Sequence, residues 1–131
     1  NALCAASYEI LKGYEGDYCV ESFDPRIVRW FKKNARGVLR GQLASPPKSL
    51  GMGILGFMIG TLLCNFLGRP DFIAYSIGKR PFTVPLVESG AMRVAWTARP
   101  ADDIEKVEAE NDAVIFEFYE PEPRYKEMEQ D

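Results

Sequence analysis

Residues 18–43 read YCVESFDPRIVRWFKKNARGVLRGQL, and this stretch constrains the fold more than any other. Tyr18, Cys19, Val20 and Phe23 form a short β-prone run. Asp24 suits a helix N-cap, and Pro25 suits the first helical position, where its missing N–H is an orphan anyway. Ile27, Val28 and Phe31 make one apolar stripe. Lys32 and Lys33 stand in the predicted last turn, where positive charge complements the helix dipole. Asn34 and Gly37 break the helix, and a second strand runs through Arg40-Gly41-Gln42-Leu43. Strand, helix and strand at this length form a βαβ unit, which implies a parallel sheet with helices packed over it. Glu21, Ser22, Arg40 and Gln42 are expected at or near the carboxyl ends of the two strands, the edge where parallel α/β folds bind ligands.

The rest of the chain continues the alternation. Leu3, Ala6, Ile10 and Leu11 give a helical stripe that ends at Gly13. Ser45-Pro46-Pro47 is a breaker cluster. A short strand is predicted over residues 71–77 and another over residues 92–97. Between them, Pro81 and Pro85 leave a loop with at most a short helix. Pro100 opens a helix to about Glu110, with Ile104 and Val107 inward and Asp102 and Asp103 complementing its dipole. The last strand covers residues 113–118. The folded part is expected over residues 3–119, followed by an acidic, proline-containing tail at 120–131. No internal repeat is visible.

Composition sets limits on function. A chain of 131 residues suffices for one domain. A net charge of −3 argues against general binding to a phosphate backbone, so no nucleic-acid partner is expected. Cys4, Cys19 and Cys64 lack metal-ligand spacing and are odd in number. They read as reduced, half-buried thiols of a reducing, cytoplasmic compartment.

Residues 50–67, LGMGILGFMIGTLLCNFL, carry no charge. The length reaches the lower limit of a membrane span, about 17–20 residues. Gly51, Gly53, Gly56 and Gly60 lower its helix propensity. Three readings stand: a span, an interfacial or partner-binding helix, and a buried or lid helix inserted after the second strand. The third is favoured, with membrane contact through 50–67 as the alternative.

The words VESFDPRIVRWFKKN, RGQL, RPDFIAY, VAWTAR and DAVIFE occur in an order and spacing that resemble the glycerophosphodiester phosphodiesterases, in particular a bacterial subgroup. Ser22-Phe23 and Trp96-Thr97 are the most recognisable pairs, and the likeness runs from about Leu3 to about Glu120. It implies a TIM-type (β/α)8 barrel that hydrolyses glycerophosphodiesters to an alcohol and glycerol 3-phosphate with two histidines and a divalent metal, Ca or Mg. That family's His-Arg-Gly motif, Glu-x-Asp metal pair and second histidine belong to its amino-terminal half. This chain has no histidine and is far shorter than the ~250 residues of such a barrel. It looks like the carboxyl-terminal half, starting in the helix before the fifth strand.

Six residues are candidates for pocket walls. The resemblance places Ser22 and Phe23 beside the substrate, against the plain reading of Ser22 as a helix cap and Phe23 as core. Glu21 faces away from Ser22, so only one of the two looks into the barrel. Arg40 and Gln42 point the same way. They suit an anion or hydroxyl, although an ion pair of Arg40 with Glu117 is favoured over ligand binding. The resemblance puts Trp96 at the mouth beside the glycerol carbons, and a core tryptophan is the alternative. Glu117 stands where most of the family has Thr-Asp. Phe-Glu fits the bacterial subgroup, and the departure leaves a metal role without support. Arg99, Asn65 and Tyr75 are weaker candidates.

No catalytic or metal-ligating set is complete in this chain. Phosphodiester cleavage needs a general acid and base near neutral pKa and a cationic clamp on the phosphoryl oxygens. The expected partners are therefore the small-molecule glycerophosphodiester and the missing amino-terminal half-barrel. A half-barrel has two open strand edges and an apolar inner face, so a homo-oligomer is expected as well. The alternative function is a non-catalytic half-barrel that binds or self-associates.

Overall fold

A computed structural model describes residues 2–51, 53–88 and 90–121. The elements are α1 (Ala2–Leu11), β1 (Cys19–Ser22), α2 (Pro25–Asn34), β2 (Leu39–Ala44), α3 (Pro47–Leu50), α4 (Gly53–Gly60), α5 (Asn65–Gly68), β3 (Phe72–Ser76), α6 (Val84–Val87), β4 (Met92–Ala98), α7 (Ile104–Glu110) and β5 (Ala113–Phe116). All four strand pairings are parallel, and the sheet order is β1-β2-β3-β4-β5. The strands form a curled half-barrel sheet in which each neighbour in space is the neighbour in sequence. Most of the acidic tail lies outside the described residues.

The predicted βαβ unit forms as its residues dictate. The Asp24 carboxylate accepts the Arg26 backbone N–H at 2.9 Å, Pro25 opens α2, and Lys32 and Lys33 occupy its last turn. The register sets Ser22 beside Gln42, Gly41 beside Phe72, and Ala74 beside Val94.

Paired residues share a face, so the register separates the two sides of the sheet. Val20, Arg40, Gln42, Ala44, Ile73 and Tyr75 face the helices. There Ala44, Ile73 and Tyr75 pack with Ile59, Leu62 and Val84, while Val20 joins Phe31, Ala35, Val38 and Cys4 under α1 and α2. Glu21, Gly41, Leu43, Phe72, Ala74, Val94 and Trp96 line the concave face, where Phe72, Ala74 and Val94 form a smaller cluster with Leu43 and Trp96. A Cβ on Gly41 would stand 2.1 Å from the Phe72 ring, so this glycine lets Phe72 lie across β2.

The apolar run 50–67 is not one helix. The chain caps α3 with Gly51 at φ +60°, turns again at Gly53 at φ +53°, and breaks a second time at Leu62 at φ +59°. Glycines supply two of these left-handed positions, and the third is held by complete burial of the Leu62 side chain. No described helix is long and apolar enough to cross a membrane. The helix predicted from Pro100 begins only at Ile104, because the Asp103 carboxylate caps the Lys106 N–H and Asp102 instead accepts the Arg99 N–H at 2.8 Å. Cys4 and Cys64 are buried and Cys19 is exposed, which corrects the half-buried reading of Cys4 and Cys19.

Candidate functional site at the carboxyl rim of the sheet

The carboxyl ends of the strands bring together Ser22, Phe23, Ser45, Ser76, Trp96, Thr97, Arg99 and Glu117. Trp96 is the centre of this rim. Its indole N–H donates to the carbonyls of Ala44 at 3.1 Å and Ala74 at 2.9 Å, so the ring from β4 reaches over the ends of β3 and β2. Phe23 meets it edge to face at 5.7 Å between centroids. The Trp96–Thr97 peptide is cis. Beside the indole, the Ser45 and Ser76 hydroxyls lie 3.1 Å apart. Either can donate, so the pair keeps lone pairs for a further partner.

Ser22 and Gln42 are committed to local structure. The Ser22 hydroxyl accepts the Asp24 N–H at 3.0 Å. Asp24 in turn binds the Arg26 guanidinium, and that hydrogen bond holds its carboxyl below the ordinary value. Gln42 is 2% exposed, and its amide nitrogen faces the carbonyls of Ser22, Phe23 and Leu43 at 2.9–3.0 Å. One amide therefore braces the β1–α2 turn from the helix side.

Arg40 stands at the amino end of β2, not the carboxyl end, and faces the helices. Its partner is Asp71 at 3.2 Å, which replaces the expected pair with Glu117. Glu117 lies just past β5, at the other end of the strands, and binds Arg99 at 2.9 and 3.0 Å. Both side chains of that pair are largely solvated, so it is worth about 0–1 kcal/mol.

The alternation settles which of Glu21 and Ser22 looks into the concavity. Glu21 does, and burial pushes its carboxyl above the ordinary value. Tyr75 and Asn65 do not reach the rim. Tyr75 faces the helices, where its hydroxyl donates to the Gly60 carbonyl at 2.7 Å and burial pushes its pKa up to about 12. Asn65 borders a cavity of about 380 Å³ with Arg69, Ile73 and Val87. A larger cavity of about 720 Å³ opens between α6 and α7, lined by Arg80, Glu88, Arg93 and Glu110 among others. Neither cavity touches the rim.

Sequence reasoning missed the Ser45–Ser76 pair. The signal was present as a serine directly after the apolar run of two successive strands, LAS and AYS. Among the described residues no three His, Cys, Asp or Glu side chains converge as a metal site. Glu117, the rim carboxylate nearest such a role, is held by Arg99. No protein-family model, curated protein or solved structure matches the chain.

Proposed function

We propose that the chain is the carboxyl-terminal half of a glycerophosphodiester phosphodiesterase barrel and that its concave rim is one wall of the substrate pocket. The observation that carries the reading is the strand order. Five parallel strands succeed one another in sequence, and Phe23 and Trp96 meet at their carboxyl ends. These two residues belong to the most recognisable words of the resemblance.

In this reading the indole face packs on the carbons of the glycerol, and the Ser45 and Ser76 hydroxyls take the sugar-like hydroxyl groups of the ligand. Hydrolysis breaks one phosphorus–oxygen ester bond. Water supplies the hydroxyl to phosphorus and the proton to the departing alcohol, leaving glycerol 3-phosphate. The acid and base for those proton transfers come from the other half of the barrel. The metal of such enzymes clamps phosphoryl oxygens, and the residues of this rim do not fit it, because no three ligating side chains converge among the described residues and Glu117 is engaged with Arg99. The three free thiols fit a reducing, cytoplasmic location.

The test pairs the chain with a companion. The 131-residue chain alone is expected to leave glycerophosphocholine intact in the presence of Ca²⁺ or Mg²⁺. Co-expression with an amino-terminal half-barrel bearing His-Arg-Gly and Glu-x-Asp is expected to give hydrolysis that Trp96→Ala reduces at least about tenfold in kcat/KM. Turnover by the chain alone, or a folded pair without turnover, would overturn the proposal.

A second reading is favoured by the open sheet. Leu39 and Met92 on the concave face are about half exposed, and among the described residues β1 and β5 are the edges of the sheet with no further strand beside them. A non-catalytic half-barrel would cover both by self-association. Sedimentation at rising concentration is expected to show a dimer or larger species; a monomer throughout would sink this reading.

A further inference from the structure

The apolar run 50–67 does not close over itself. α4 turns Gly56, Ile59 and Gly60 inward, yet Ile54 is 81% exposed and Phe57 is half exposed. Beyond α4, Leu63 is half exposed and Phe66 is 71% exposed. The surface continues onto the next segment. The Thr83 hydroxyl donates to the Thr61 carbonyl at 3.4 Å, which sets α6 beside the end of α4, and Phe82 and Leu86 there are also exposed. Isolated exposed apolar residues are ordinary, whereas a run of aromatic and aliphatic groups on adjoining elements marks an interaction surface.

Positive charge gathers beside it. α5 packs on α2, with Gly68 seated against the Val28 side chain and next to the Arg29 backbone, and Arg69 follows α5 directly. Burial holds the Lys32 ammonium below the ordinary value, and Arg69, Arg40, Arg29 and Lys33 lie close enough for their fields to add to that. The carboxylate contact of this cluster is Asp71, on Arg40. In a chain of net charge −3, the cluster runs against the average.

We propose that the α4–α5 surface seats on an anionic lipid bilayer, with Ile54, Phe57, Leu63 and Phe66 entering the headgroup–acyl boundary and Arg29, Lys32, Lys33 and Arg69 meeting lipid phosphates. The helices here are far too short to span, so the contact lies in the plane of the interface. Apolar insertion and basic attraction are each weak alone, and together they give stable attachment. The charge also argues against a second copy as the occupant. A two-fold contact through this patch would bring two copies of the basic cluster to the same interface, where like charges repel. The inference does not depend on the phosphodiesterase reading.

Vesicle flotation of the 131-residue chain tests it. The expected result is binding to phosphatidylcholine vesicles that contain phosphatidylglycerol, at least about tenfold tighter than to phosphatidylcholine alone and weakened by added salt. The exposed double variant Phe57→Ser/Phe66→Ser, with unchanged circular dichroism, is expected to lose binding about tenfold or more. Arg29→Gln and Lys33→Gln are expected to lose about fivefold each. Leu3→Ser, an exposed apolar position on α1, is expected to change nothing. Failure to float on anionic vesicles, equal binding to neutral ones, or indifference to the phenylalanine changes would overturn the proposal. Loss of a self-associated species in Phe57→Ser/Phe66→Ser, with flotation intact, would assign the surface to a second copy and overturn it as well.

Discussion

Asp71 holds Arg40 twice: one carboxylate oxygen accepts the Arg40 backbone N–H at 3.0 Å, and the other accepts from its guanidinium at 3.2 Å. The backbone returns the contact, with the Asp71 N–H donating to the Arg40 carbonyl at 2.8 Å. Asp112 and Arg93 repeat the arrangement two strands later. The Arg93 N–H reaches Asp112 at 2.9 Å, and the Asp112 N–H donates to the Arg93 carbonyl at 2.8 Å. In each case the arginine is the second residue of a strand and the aspartate directly precedes the next strand. The sheet is thus stapled at its amino ends, opposite the candidate site.

The two staples differ in burial, and that sets their energies. The Arg40 side chain is 13% exposed, so removing its carboxylate leaves a largely buried charge without its partner. Asp71→Ala is expected to destabilise by about 2–4 kcal/mol. Arg93 is half exposed and its ion pair is long, at 3.8 Å. The side-chain pair there is worth about 0–1 kcal/mol, so Asp112→Ala is expected to cost less than Asp71→Ala, about 1–2 kcal/mol. Urea unfolding midpoints of the two variants check the ranking, and an equal loss would contradict it.

Gly60 fixes how the apolar insert meets the sheet. A Cβ there would stand 2.6 Å from the Ser45 carbonyl oxygen, a backbone atom that cannot swing away, and 2.7 Å from Pro47. Gly60→Ala is expected to destabilise by about 1–3 kcal/mol despite the better helix propensity of alanine. Tyr75→Phe removes the hydroxyl that bonds the Gly60 carbonyl and is expected to cost about 1–2 kcal/mol. The two sites share one contact, so the double variant should fall short of the sum, a coupling readable by denaturant unfolding.

Much of this architecture was legible in the chain, and the parts that were not share a physical cause. Asp24-Pro25 and Lys32-Lys33 define α2 because caps, fixed φ and end charges act within one turn. The parallel sheet followed from that unit alone. Residues 50–67 lacked such local information. An uncharged run reads the same whether it is one helix or three pieces, and only tertiary burial of Leu62 decided the second break. At the site, alternation correctly grouped Arg40 with Gln42, yet the face they point to depends on which side the helices cover. Arg40 therefore found Asp71 at the amino end instead of Glu117 at the carboxyl end. The hydroxyls of Ser45 and Ser76 meet only because the register brings two strand ends level.

Acid and base act on this fold through Glu88. It is 5% exposed, burial pushes its carboxyl above the ordinary value, and Arg80 at 3.2 Å only partly opposes that. The folded chain therefore holds this proton more tightly than the unfolded chain. The resulting stabilisation is full below the ordinary carboxylate value of 4.5 and is lost as pH rises through the raised, folded-state value. Glu88→Gln does not titrate and is expected to flatten this decline. Urea midpoints measured stepwise from acid to neutral pH check it; parallel curves for the two proteins would refute the assignment.

Gln42 and Trp96 separate bracing from recognition at the rim. The Gln42 amide satisfies carbonyls of the β1–α2 turn and is shut off from solvent. Gln42→Leu keeps the bulk, removes the buried amide's bonds to those carbonyls, and is expected to destabilise by about 2–3 kcal/mol. Trp96 is half-buried, and its indole N–H makes two bonds, to the carbonyls of the buried residues Ala44 and Ala74. Trp96→Phe keeps an aromatic face toward Phe23 and is expected to cost about 1–2 kcal/mol, less than Gln42→Leu. If the rim is a substrate wall, a reconstituted barrel should respond in the opposite order. Trp96→Phe would raise KM while the protein stays folded, and Gln42→Leu would lower the folded fraction while the remaining enzyme keeps its KM. Thermal unfolding and steady-state kinetics on the same samples distinguish the two, and a Gln42 variant that folds normally but binds substrate poorly would return that residue to the pocket.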